Sequence, residues 1–224
     1  MTSSAPRIAF LHTGAVNIAP FGALATEFLP DATIVNYLDD RIVADLGDDD
    51  RAASVPARID DLVRAAAAGG ADAVMFTCSS ISELAAPAAA AAGVPVLRVD
   101  EAMADAAVRA GRRVRVLATL STTCGPTLRL LEERAALAGV EPEFTSEVIE
   151  GAFAAVSSGD RATHDRLVAA AIERGAAEAD VVVLAQASMA TAAETVSVSV
   201  PVLTSPRLGV ERLAESLARS LARD

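Results

Sequence analysis

Lysine is absent from this chain of 224 residues, so all nineteen of its basic residues are arginine. A cofactor held as a lysine Schiff base, pyridoxal phosphate above all, is thereby excluded. Tryptophan is also missing, tyrosine occurs once, and aromatic residues make up only 3% of the chain. Two cysteines, Cys78 and Cys124, and two histidines, His12 and His164, suggest neither a disulfide framework nor a zinc cluster. No Walker phosphate loop or Gly-x-Gly-x-x-Gly fingerprint occurs, which argues against nucleotide and dinucleotide cofactors. No apolar run reaches the roughly 20 residues that span a bilayer. The opening "MTSSAPRIAFLHTG" lacks the charged-then-apolar layout of a secretion signal. The formal net charge of −11 leaves no basic stripe for nucleic acid and no polybasic patch for a membrane surface. These absences lead to the expectation of a cytoplasmic protein with no nucleic-acid or membrane partner.

What the chain does hold is alanine and short β-branched runs in alternation. Strands are expected at 7–12, 33–38, 73–77, 95–99, 114–118, 143–149, 181–185 and 201–205, with helices between them. Several of these runs are continuously apolar, as befits parallel strands covered on both faces. Pro126 reads as a first-turn residue ahead of "TLRLLEERAALA", and Gly139 as the stop of that helix. The final stretch "ERLAESLARSLAR" carries an apolar face at helical spacing.

Three segments occur twice. "ADAVMFTCSSIS" from Ala71 is echoed by "ADVVVLAQASMA" from Ala179, 108 residues on. "VPVL" at 94 returns at 200, and "RIAFLHT" at 7 resembles "RVRVLAT" at 113, each 106 residues on. Near-constant offsets mean two similar halves. The expected architecture is α/β: two open four-stranded parallel sheets flanked by helices and related by a pseudo-twofold axis. Residues 1–100 with 207–224 form the first half, and 101–206 the second, with a cleft between them. A closed eight-stranded barrel is the alternative that the repeat argues against.

Ligands of open parallel sheets sit beyond the carboxyl ends of the strands. Cys78 is expected there, between a strand and a helix, where "SISE" (80–83) fits a capping box. Backbone N–H groups at such a start favour a thiolate, which can take a proton from carbon or attack it. The bland alternative is a buried structural cysteine. Thr119, Ser121, Thr122 and Thr123 crowd the turn after the fifth strand, where hydroxyls either hold a carboxylate or merely cap the helix. Cys124 reads as a bystander in that loop. His12 ends the first strand and is more easily packed than catalytic; His164 reads as solvated at a polar helix start. The segment 150–160, with Phe153, suggests a lid over the cleft.

Taken in order, "FTCSS", "VDEAMADAA" (99–107), "ATLSTT" (118–123) and "VVVLAQASMA" resemble the aspartate/glutamate/hydantoin racemase superfamily over nearly the whole chain. The resemblance implies a cofactor-independent site between two sheets, where two cysteines flank the α-carbon of a small carboxylic or amino-acid-like substrate. Cys78 matches the first family cysteine. The second falls on Gln186, within Leu184 to Met189, and a carboxamide has no proton to exchange near neutral pH. Catalysis is therefore assigned to Cys78. Substrate binding is expected from Thr13, Asn17, Ser79, Ser80, Thr119, Thr122, Gln186, Ala187 and Ser188, with no metal. The expected activity is that of a racemase-family isomerase. A single-thiol decarboxylase of malonate type and a non-catalytic small-acid binder are the alternatives. The sequence is compatible with a homo-oligomer and does not fix the oligomeric state.

Overall fold

The computed structural model describes residues 5–221. It contains two separate four-stranded, all-parallel sheets flanked by helices, so the doubled open sheet holds and the closed barrel does not. The first sheet contains β1 (Arg7–His12), β2 (Thr33–Leu38), β3 (Ala73–Phe76) and β4 (Val96–Arg98), in the order β2-β1-β3-β4. The second contains β5 (Arg113–Ala118), β6 (Glu143–Val148), β7 (Val181–Leu184) and β8 (Val202–Thr204), in the order β6-β5-β7-β8. All eight expected strands are present, with ends shifted by at most a residue or two.

The chain divides into two compact units. One contains the residues up to Val99 and those from Gly209 onward; the other is Asp100–Leu208. Within each, the central strands are the continuously apolar ones. Every residue of β3 and β7 is buried, and β1 is buried from Ile8 to His12. Helices such as Val55–Ala68 in the first unit and Arg161–Ala176 in the second cover these strands, packing Val63 and Ala66, or Val168 and Ile172, into the cores. The edge strands β2 and β6 keep alternating exposure, as partly solvated strands do. Alanine is abundant because its small side chain lets helix and sheet approach closely.

The two sheets repeat each other in detail. Leu11 pairs with Phe76 and Leu117 with Leu184, the same step of the same parallel ladder. Asp72 accepts from the Arg7 backbone N–H at 2.7 Å, and Asp180 from that of Arg113 at 2.9 Å, so a carboxylate pins the amino end of each central strand.

Several helix ends differ from expectation. The helix Ser121–Ala138 starts five residues before Pro126, which lies inside it; the helix tolerates the lost N–H there and still ends at Gly139, whose φ of 67° favours glycine. The capping box at Ser80 does not set a helix start, because a 3-10 turn over Ser79–Leu84 already begins after Cys78 and Ala85–Ala92 follows as α-helix. The 150–160 segment is mostly the short helix Ala152–Ser157, with Ala152 buried and Phe153 exposed. The last helix, Ser205–Leu221, begins six residues before "ERLAESLARSLAR". Its Gly209 lies so near Val99 that a Cβ would come within 2.5 Å of the Val99 carbonyl oxygen. Among the described residues no helix is long and apolar enough to cross a membrane.

Candidate active site

In the first unit, β1 and β3 run side by side and end together. Two residues beyond the Leu11–Phe76 pair, Thr13 and Cys78 occupy equivalent positions in the two loops. Cys78 is the last extended residue before the 3-10 turn and is half-buried, packed against the first unit's core. Its carbonyl accepts from the Ser82 hydroxyl and the Ile81 N–H, at 3.5 and 3.4 Å. Behind it lies a buried polar chain. The fully buried His12 ring faces Asn36 Oδ1 at 2.9 Å through Nε2 and Thr77 Oγ1 at 2.8 Å through Nδ1. Because Asn36 presents an oxygen, Nε2 carries the proton and Nδ1 is the acceptor that faces the Thr77 hydroxyl, which also lies 3.1 Å from the Leu11 carbonyl oxygen. Burial pushes the His12 pKa below its ordinary value, against the opposing pull of Asn36, and keeps the ring neutral. Asn17 reaches back from the β1 loop to donate to the Thr77 carbonyl at 3.5 Å. These contacts hold the residue immediately before Cys78 on three sides.

The equivalent positions in the second unit are Thr119 and Gln186. Thr119 is buried. Its backbone N–H and its hydroxyl both donate to Gln186 Oε1, at 2.5 and 3.0 Å. Gln186 then leads into a 3-10 turn, Ala187–Met189, as Cys78 leads into its own. Arg161, from the start of the helix Arg161–Ala176, donates to the Ser188 carbonyl at 2.8 Å. Asp165, one turn along, accepts from Thr191 at 3.1 Å and lies 2.7 Å from His164 Nδ1. His164 is fully buried and not solvated as its polar neighbours suggest; Asp165 supplies a partner for Nδ1, while the buried Nε2 has none among the described residues.

The structure thus gathers the expected residues into two loops, each within its own unit: Thr13, Asn17, Cys78, Ser79 and Ser80 in one, Thr119, Gln186, Ala187 and Ser188 in the other. Thr122 is exposed on the first turn of the helix Ser121–Ala138. Cys124, further along that helix, packs against the second unit's core, and burial raises its pKa and keeps it a thiol. Both cysteines are free. Sequence reasoning missed the supports: Asn36, Arg161, Asp165 and Thr191 lie far along the chain from the motifs they hold. No group of three potential metal ligands comes together among the described residues. A broad groove lined by Arg109, Arg112, Glu132 and Phe144 lies at the amino end of the second sheet, the end opposite to the Thr119 and Gln186 loops.

A doubled open parallel sheet with a thiol at one strand end, and a carboxamide at the equivalent end of its repeat, defines a two-unit α/β class. The profile described as Asp/Glu/hydantoin racemase matches residues 23–213, and the chain belongs to that family. No curated protein matches the sequence. Glutamate racemase isoform RacE1 from Bacillus anthracis superposes with a TM-score of 0.75 at 17% identity, over 97% of this chain and 84% of its own. Allantoin racemase from Klebsiella pneumoniae gives 0.68 at 20%, over 96% and 88%. Arylmalonate decarboxylase gives 0.58 at 20%, over 93% and 92%. At these identities the likeness is one of fold.

Proposed function

We propose that this protein is a cofactor-independent enzyme of the racemase-family isomerase type, moving a proton at the α-carbon of a small carboxylic or amino-acid derivative. One observation carries the reading: the strand-end thiol of Cys78 has Gln186, not a second thiol, as its counterpart in the repeat. Cys78 in its thiolate form would take the α-proton, the electron pair would pass to the adjacent carboxylate as enolate-like charge, and a water molecule would return a proton to the opposite face of the carbon, since Gln186 has none to give. Thr13, Ser80, Ser188 and the Gln186 amide are the donors suited to stabilise that charge. Two free thiols suit a reducing compartment, in keeping with a cytoplasmic setting.

Gln186 favours a second reading as well. A decarboxylase needs one proton delivery and no second acid: the carbon–carbon bond breaks, carbon dioxide leaves, and the Cys78 thiol protonates the resulting enolate. The two readings part in heavy water. Purified protein would be incubated there with α-amino acids, hydantoins and substituted malonates in turn. Isomerase chemistry exchanges the α-hydrogen without loss of carbon, whereas decarboxylation releases carbon dioxide and leaves a single labelled enantiomer. Cys78→Ala should lower either rate at least ~100-fold, the usual scale for removing a general acid or base, with the fold intact. Turnover undiminished in Cys78→Ala would overturn the assignment. Binding without exchange or release would make the protein a small-acid binder.

A further inference from the structure

The groove at the amino end of the second sheet has a volume of about 1030 Å³ and lies wholly within the second unit. That is the upper end of the roughly 300–1,000 Å³ that small-ligand clefts occupy. Two helices end along it. The helix Glu101–Ala110 and the loop beyond it contribute Arg109 and Arg112. The helix Ser121–Ala138 and its own loop contribute Glu132 and Glu141. Between these charges the lining is apolar or bare, with Val108, Val140 and Phe144 beside Gly111, Ala135 and Gly139.

The four charges set this groove apart. Other arginines of the unit have carboxylate partners: Arg113 has Asp180 at 2.7 Å, Arg115 has Glu147 at 2.6 Å and Arg134 has Asp105 at 2.6 Å. The side chains of Arg109, Arg112, Glu132 and Glu141 make no ion pair or hydrogen bond among the described residues. Arg109 lies in the last turn of its helix, where it offsets the negative end of the helix dipole. Arg112 lies past that turn. Glu141, just beyond the second helix, adds to its negative end instead of offsetting it. Both signs of charge therefore share one groove unpaired, each supplied by a different helix and its loop.

We infer that the groove binds a short zwitterionic peptide. Its terminal carboxylate lies on Arg109 and Arg112, its terminal ammonium on Glu132 and Glu141, and an apolar side chain covers the uncharged lining. A free amino acid crowds both charges onto one carbon and fills little of the volume, whereas an extended tripeptide spans about 10 Å. A plain anion would leave the two glutamates unanswered and meet the chain's net charge of −11. A second copy of the chain fits poorly, since two concave faces laid together leave the volume unfilled.

The test is calorimetric titration of the full chain with alanyl-phenylalanyl-alanine and with two blocked forms of it, one acetylated at the amino end and one amidated at the carboxyl end. The free tripeptide should bind, and each blocked form should bind at least ~10-fold more weakly, the scale of losing a charge-assisted hydrogen bond. The double substitution Arg109→Gln with Arg112→Gln should weaken the free tripeptide by a similar factor and should no longer distinguish it from the amide. Glu132→Gln with Glu141→Gln should do the same with respect to the acetylated form. All four side chains are exposed, so the unliganded melting temperature should shift little. Cys78→Ala, in the other unit, should leave the affinity unchanged. No binding of the free tripeptide, equal affinity for the blocked forms, or undiminished binding in either doubly substituted protein would each overturn the assignment. So would a dimer in sedimentation that the arginine substitutions dissolve, because the groove would then hold a second copy.

Discussion

Two loops at equivalent steps of two matching sheets differ in what lies behind them and in what they present. In the first unit the residues behind the loop are polar: His12 and Thr77 bond to each other in full burial. In the second the same two positions are Ala118 and Ala185, both fully buried and apolar. One step further out, the first unit presents Thr13 and Cys78 and the second Thr119 and Gln186. Support for the Cys78 loop comes from beneath, through His12, Thr77 and Asn17. Support for the Gln186 loop comes from within, through Thr119, and from one side, through Arg161. The ladder is duplicated, but each copy has its own way of holding its loop. The unit with a reactive side chain leaves its thiol out of the hydrogen bonding that holds the loop, whereas the unit without one has made its side chain part of that bonding.

Four substitutions probe that contrast, in order of decreasing effect. Gln186→Cys places a second thiol at the equivalent strand end and should speed the conversion of a single enantiomer to a near-equal mixture or, under decarboxylation, turn the one labelled enantiomer into such a mixture, read by chiral chromatography after reaction in heavy water. It also leaves two Thr119 donors without their acceptor, so unfolding should become easier by about 1–3 kcal/mol in urea titration. A product that remains a single enantiomer would break the equivalence of Cys78 and Gln186.

Thr77→Val should come next. It removes the proton donor to His12 and leaves a buried ring nitrogen unpaired, at a cost of about 1–3 kcal/mol. Its mirror, Ala185→Thr, buries a hydroxyl where the second unit has Ala118 and should also destabilise; if it is neutral, the polar support is not particular to the first unit. The smallest effect is expected from Asp180→Asn. The Arg113 guanidinium and backbone N–H hold the Asp180 pKa down to about 2 from an ordinary 3.8. A depressed carboxylate stabilises the fold fully above pH 3.8 and loses that contribution as pH falls toward 2. The difference in melting temperature between the unaltered protein and Asp180→Asn should be present at pH 7 and should vanish near pH 2.

Much of this fold was legible because its signals are local or repeated. Continuous runs such as "VVVL" mark central strands, and the offset between "ADAVMFTCSSIS" and "ADVVVLAQASMA" exposes the duplication and the equivalence of Cys78 with Gln186. Gly139 was legible as a helix stop because glycine takes a left-handed backbone at little cost. Pro126 misled, since proline is common in a first turn but is also tolerated deeper in a helix whose packing outweighs one lost hydrogen bond. His164 misled for a related reason: its neighbours in sequence are polar, but its burial depends on Asp165 and the core beneath. The role of Thr119 was half legible. A hydroxyl near the site could be read from "ATLSTT", but not that Gln186, 67 residues away, engages both of its donors.

Asp72 and Asp180 pin the amino ends of β1 and β5, whereas Cys78 and Gln186 stand at the opposite ends of the neighbouring strands. Each strand therefore separates an anchor from a tool by its own length. A lineage built on this plan can exchange the residues at one end, thiol for amide or hydroxyl for alanine, while the anchors at the other go on setting the register. That separation makes the scaffold permissive: chemistry can be gained, halved or lost without re-solving the fold.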